Sequence, residues 1–152
     1  MKSFGMGARW RLLPVCVLLF CLQAACDRAP SVIFEGPDGV KATFSVEVAR
    51  TPEKRRWGLM YRQDLGNDEG MLFIFPDESD HSFWMKNTPL SLDMIFMDRR
   101  RRVVGIIHDT VPFSTRSVRV GVASRYVLEV RAGVARRHHI AVGDVARFER
   151  LP

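Results

Sequence analysis

Cysteine is scarce and confined to one end: Cys16, Cys21 and Cys26 are the only three in 152 residues. Residues 27–152 therefore hold no thiol, which excludes an internal disulfide and thiol catalysis within that stretch. No Gly-x-Ser-x-Gly elbow and no glycine-rich phosphate loop is present, so neither a hydrolase nucleophile nor a nucleotide cradle is expected. Histidine is equally thin. His138 and His139 are adjacent and turn to different faces, while His81 and His108 stand alone, so no metal site and no cofactor are expected. Nor does one sign of charge dominate: 23 Lys and Arg face 17 Asp and Glu, a formal net charge of +6. Lys2, Arg9 and Arg11 lie in the first 11 positions with no acid among them, which leaves +3 for the rest. That excess lacks the basic stripes and interleaved aromatics of a nucleic-acid surface, and none is expected. There is no repeat and no low-complexity segment, and 47% hydrophobic residues suffice for one packed core.

What is present begins with a leader. Met1 to Arg11 is short and basic, Leu12 to Leu22 is apolar, and Gln23-Ala24-Ala25 follows, which is the order of a secretory signal. The apolar run is well short of the ~20 residues needed to span a bilayer, so a transmembrane anchor is not expected. Ala24-Ala25-Cys26 resembles the lipobox of bacterial lipoproteins, although Gln23 stands where that pattern prefers Leu. The resemblance implies cleavage before Cys26 and a lipid on its thiol, a membrane tether; ordinary cleavage and free secretion is the alternative. The expected organisation is a signal peptide at 1–25, a tether at 26–31 and one β domain at 32–152, located in the periplasm or cell envelope.

Within the domain, Val40, Ala42, Phe44, Val46 and Val48 alternate with Lys41, Thr43, Ser45 and Glu47, so a strand with one buried face is predicted. It forms a hairpin with Val32 to Phe34 across the turn-rich Glu35-Gly-Pro-Asp-Gly39. Thr51-Pro52-Glu53 caps and opens a helix running to about Tyr61, with Trp57, Met60 and Tyr61 on its buried face. Further strands are expected at 71–75, 82–85, 92–97, 103–107, 118–122, 126–131 and 145–148, and a helical turn at 132–139. The fold class is mainly β: a small antiparallel sandwich, jelly roll or barrel with one short helix near residues 52–61.

Trp57-Gly-Leu-Met60, Gly70-Met-Leu-Phe73 and above all Phe83-Trp-Met-Lys-Asn-Thr88 resemble the family called domain of unknown function 192. Leu92-Asp93, Phe96, Tyr126-Val-Leu-Glu129, Ala132-Gly133 and Gly143-Asp144 extend the likeness from about Val40 to Phe148. The resemblance implies a compact, mainly β domain, often behind an export signal, with no established activity. The departure is Arg99 to Arg102, where that family turns its hairpin with Asp or Gly nearby.

Phe83 to Asp93 gathers an indole, a Lys, an Asn, a Thr and a carboxylate around Pro89. An aromatic ring can lie against a sugar while polar side chains fix its orientation, so Trp84, Lys86, Asn87, Thr88, Asp93 and Arg56 are the candidate ligand-binding residues. The plainer reading keeps Trp84 in the core and spends Asn87 and Asp93 on loop backbone. Asp93, Glu129 and Asp144 are the weak catalytic candidates, with Asp93 and Glu129 as acid and base on an envelope glycan. Against that, Glu129 is expected to form an ion pair with Arg56 or Lys86. Met60, Met71, Met85, Met94 and Met97 read as core filler ahead of a Cu(I) site. The favoured reading is a non-catalytic module binding a small polar ligand, a glycan or a partner protein; a glycan hydrolase or a structural partner of another envelope protein is the alternative.

Overall fold

The computed structural model describes Met1 and residues 29–36 and 39–151. The predicted leader, Cys26 and the centre of the first hairpin turn, Pro37-Asp38, lie outside the described residues. Among the described residues seven strands form one sheet in the order β5-β4-β6-β3-β2-β1-β7. They are β1 (Ser31–Gly36), β2 (Gly39–Ala49), β3 (Glu69–Ser79), β4 (Leu92–Met97), β5 (Val103–Ile107), β6 (Ser124–Arg131) and β7 (Val145–Glu149), with two short helices, α1 (Pro52–Trp57) and α2 (Val134–Arg137). The edge strands approach each other where Arg102 bridges Val145, so the sheet curls into a half-barrel.

Five of the six pairings are antiparallel, but β2 and β3 run parallel, Ser45 to Ala49 beside Glu69 to Phe73. Parallel neighbours cannot be joined by a tight turn, and residues 50–68 make the crossover that carries α1. This crossover is the departure from the antiparallel expectation, and it brings α1 to the sheet. One face of the sheet packs Val32, Phe34, Phe44, Leu72, Ile95, Leu128 and Val130, closed by Val134 and Ala135 of α2. The other packs Met71, Phe73, Met94, Phe96 and Val127 beneath Leu59, Leu65 and Met85 from the connections. The alternation read in β2 holds from Ala42 to Glu47, since Ala42, Phe44 and Val46 are buried while Thr43, Ser45 and Glu47 are exposed; Val40, expected on the buried face, lies at the hairpin end and is exposed, and Val48 is partly buried.

Two predicted strands are absent as strands. Residues 82–85 and 118–122 contribute a single bridge, Phe83 to Val118, and Met85 then turns to the carbonyl of Ser114 (2.9 Å). Asn87 adopts a left-handed backbone (φ 57°) just before Pro89, so the first segment bends away before a ladder can extend. Helix α1 also stops early. Thr51 caps it through Oγ1 to the Lys54 N–H, and Gly58 at φ 50° ends it after six residues. The Arg99 to Arg102 hairpin tip is held by Asp98, whose Oδ1 accepts the Arg100 and Arg102 N–H groups (2.8 and 2.9 Å). Met71, Met85, Met94 and Met97 are buried in the two apolar clusters.

Candidate functional site

Early termination of α1 decides what its aromatics do. Trp57 and Tyr61, expected on a buried face, are 61% and 58% exposed, and Leu59 takes the buried place at 4%. Once Gly58 breaks the helical period, residues three and four apart no longer share a face, so the amphipathic reading fails here. The two rings lie 5.5 Å apart. Tyr61 is fixed by Asn87, whose carbonyl accepts the Tyr61 N–H (2.7 Å) and whose Nδ2 donates to Tyr61 Oη (2.8 Å). Asn87 thus joins the loop after Phe83 to the turn after α1.

Between these two connections lies a narrow cleft of about 30 Å³ lined by Arg56, Trp57, Met60, Trp84, Thr88 and Glu129, with Phe73 and Phe83 behind them. Phe83 fastens the loop to the sheet by edge contacts with Phe73 (5.2 Å) and Phe96 (5.7 Å), which leaves its neighbour Trp84 facing outward at 47% exposed. The Lys86 ammonium lies 5.3 Å from the centre of the Trp84 ring. Thr88 is buried, with Oγ1 donating to the Lys86 carbonyl (3.3 Å) and its own carbonyl accepting from Phe113. Arg55 is engaged elsewhere, donating to the Ile74 carbonyl and lying over Phe75, whereas Arg56 is exposed with no partner among the described residues.

Glu129 forms the floor. It sits in the centre of β6 between Met71 of β3 and Met94 of β4 and is 5% exposed. No donor or cation among the described residues reaches its carboxyl, and burial alone pushes its pKa up to about 8. The expected ion pair with Arg56 or Lys86 is therefore not formed: the flanking strands offer thioethers, and the Lys86 ammonium is drawn to the Trp84 ring. A larger groove of about 930 Å³ runs from the same Trp57 to Met60 wall past Tyr61, Val46 and Val48 to Ala29 and Pro30.

The other candidates fall elsewhere. Asp93 is fully buried on the opposite face of the sheet, where it pairs across from Val130 while Glu129 pairs across from Met94. Its oxygens accept the N–H groups of Asp109 and of Ala135 in α2, each at 3.0 Å. Asp93 and Glu129 consequently cannot flank one substrate, so their pairing as acid and base is corrected, as is the placing of Asp93 in the ligand set. Asp144 is occupied by Lys41 (2.8 Å) and the Ala141 N–H (3.0 Å). Of the six proposed ligand residues, Arg56, Trp84 and Thr88 line the cleft; Lys86 and Asn87 brace its rim. The sequence reading missed Trp57, Met60, Phe73 and Phe83 as lining residues, although Gly58, one step after Trp57, was the signal that the helix ends there.

The family model DUF192, described as an uncharacterized ACR, matches residues 34–148, from within β1 to within β7, and so takes in both walls of the cleft. The chain belongs to the DUF192 family. A protein of unknown function from Novosphingobium aromaticivorans, solved at 1.22 Å, is 36% identical over 77% of this chain and 83% of its own, with a TM-score of 0.73. A protein from Sinorhizobium meliloti described as a "putative transcription regulator" is 34% identical over 80% of this chain and 95% of its own, with a TM-score of 0.75. None of the curated proteins matches the chain. The DUF192 half-barrel is thus shared across these chains, and the family description assigns it no reaction.

Proposed function

We propose that this DUF192 domain is a non-catalytic binding module that takes a small polar ligand, a saccharide of the cell envelope, at the cleft between Trp57 and Trp84. One observation carries the reading: an exposed indole stands beside a cleft whose floor is a buried carboxyl with no partner among the described residues. A buried polar group costs stability unless it is hydrogen-bonded, so an unpartnered one that opens onto a cleft is a place where a ligand hydroxyl or carbonyl contributes what the fold does not. The indole supplies the apolar platform that a sugar face needs. Asp93, spent on two backbone N–H groups across the sheet, leaves the hydrolase alternative without its second carboxylate.

The proposed location is outside the cytoplasm, with a lipid on Cys26 as tether, supported by the basic start, the apolar run and Ala24-Ala25-Cys26. The binding reading is tested by titrating the purified protein with N-acetylglucosamine and its oligomers while following the indole N–H resonances of Trp57 and Trp84. Saturable shifts at Trp84 and Trp57, with the Trp57 shift lost in Trp84→Ala, support it. Indole resonances that stay fixed at millimolar sugar sink it.

A further inference from the structure

Three features of the cleft narrow the chemistry of what enters it. Its floor is Glu129, held in an environment that disfavours the carboxylate, so at neutral pH the group offers an O–H donor and a carbonyl acceptor. Its rim is cationic: Arg56 is exposed and unpaired among the described residues, and Lys86 lies on the ring of Trp84. Its volume of about 30 Å³ is room for roughly two waters, enough for a three-atom carboxylate and too little for a ring or a phosphate.

We propose that the cleft selects a carboxylate carried on a saccharide, with the ligand's carboxylate accepting the Glu129 proton donor below and the Arg56 guanidinium at the rim; this rests on the saccharide-binding reading above. An ammonium group is the competing occupant of a buried acid, but it would have to pass Arg56 and Lys86, and like charges at the entrance disfavour it. An oxyanion meets the opposite field: it gains a charge-assisted bond from Arg56 and from Glu129 a short O–H bond, both stronger than neutral hydrogen bonds. The body of the sugar stays outside on Trp84 and Trp57, where the wall from Trp57 to Met60 continues into the larger groove.

N-acetylmuramic acid and N-acetylglucosamine are a matched pair of probes, differing by one lactyl carboxylate. Calorimetric titration of protein purified after expression of the full chain should give an affinity for the acidic sugar at least about tenfold higher, the worth of one charge-assisted bond. Arg56→Gln, an exposed substitution with little reason to unfold the domain, should erase most of that preference by lowering the affinity for the acidic sugar towards that for N-acetylglucosamine. Glu129→Gln, whose amide still donates, should keep the preference, and Glu129→Leu should lose it. Equal affinities for the two sugars, or a preference that survives Arg56→Gln, overturn the carboxylate assignment and leave saccharide binding standing. Failure of both sugars to bind or to move the Trp84 resonance overturns both readings.

Discussion

Asp93 and Glu129 lie on neighbouring strands one register step apart, and their side chains leave the sheet in opposite directions. Asp93 closes the inner end of the half-barrel, tying the chain after β5 to the start of α2 through the N–H groups of Asp109 and Ala135. His108 Nδ1 is 3.6 Å from the same carboxylate. Asp93→Ala should therefore destabilise the domain by roughly 3 kcal/mol, because it leaves two amide donors without an acceptor, one of them in a buried contact. Asp93→Asn, which keeps an acceptor oxygen, should cost less. Urea denaturation compares the two, and an Asp93→Ala protein as stable as the parent would refute the structural role.

Glu129 has the opposite character, and its linkage to pH follows from its sign. With the folded pKa raised to about 8 from the ordinary carboxyl value of 4.5, the unfolded chain ionises first as pH rises. Above about 4.5 the unfolded state therefore binds fewer protons than the folded one, and stability falls until pH passes about 8, beyond which the deficit is constant. The charged groups facing the carboxyl from the packed elements are Arg55 and Arg56 of α1, neither in contact with it. Glu129→Gln should be more stable than the parent at pH 8 to 9 and close to it at pH 4 to 5. Thermal melts of both proteins across that range test this, and a difference independent of pH would show that the carboxyl is not held protonated.

How far the sequence discloses this arrangement depends on the range of the interactions involved. The strand at 40–49 is legible because alternation is a property of neighbours along the chain, and β4, with every residue buried, shows as an apolar run from Met94 to Met97. Helix α1 is legible at its start, where Thr51 and Pro52 act locally, and misread at its end, where one glycine outweighs a plausible pattern. The role of Glu129 was beyond reach. It depends on β6 lying between β3 and β4, and on a parallel crossover that lays Trp57 and Met60 over that strand. Phe83 to Asp93 looked like one cluster in sequence, yet the sheet divides it: Trp84 and Thr88 reach the cleft, while Asp93 turns into the half-barrel.

Trp84 and Phe96 separate binding from stability. Phe96 is fully buried and central to the aromatic packing, so Phe96→Ala should cost about 3–5 kcal/mol. Trp84 is half exposed, and Trp84→Ala should shift stability by about 1 kcal/mol or less while removing saccharide binding. Paired denaturation and titration experiments decide it; a large stability loss in Trp84→Ala would make the indole a packing residue.

Gly58 gives a backbone test of the same wall. Its dihedrals, φ 50° and ψ −134°, fall where side-chain-bearing residues are strained, and an added Cβ would stand 3.3 Å from Phe73 Cζ. Gly58→Ala should cost about 1–3 kcal/mol and weaken binding as well, since the turn it forms holds Trp57 and Met60 over the cleft. Unchanged binding together with lowered stability would show that the cleft wall is not set by this turn.

The tether reading makes its own prediction, independent of the cleft. Ala29, three residues after Cys26 in sequence, lines one end of the groove with Pro30, so a lipid on Cys26 would hold the groove mouth within a few residues of the bilayer surface. Protein expressed from the full chain in a Gram-negative host should partition with membranes and start at an acylated Cys26 by mass spectrometry. Cys26→Ser should move it to the soluble exported fraction with its fold intact, because no thiol serves the domain itself. An unacylated parent protein in that fraction, cleaved elsewhere, would leave export standing and refute the tether. The same protein retained in the cytoplasm would refute both, and with them the argument that the ligand belongs to the envelope.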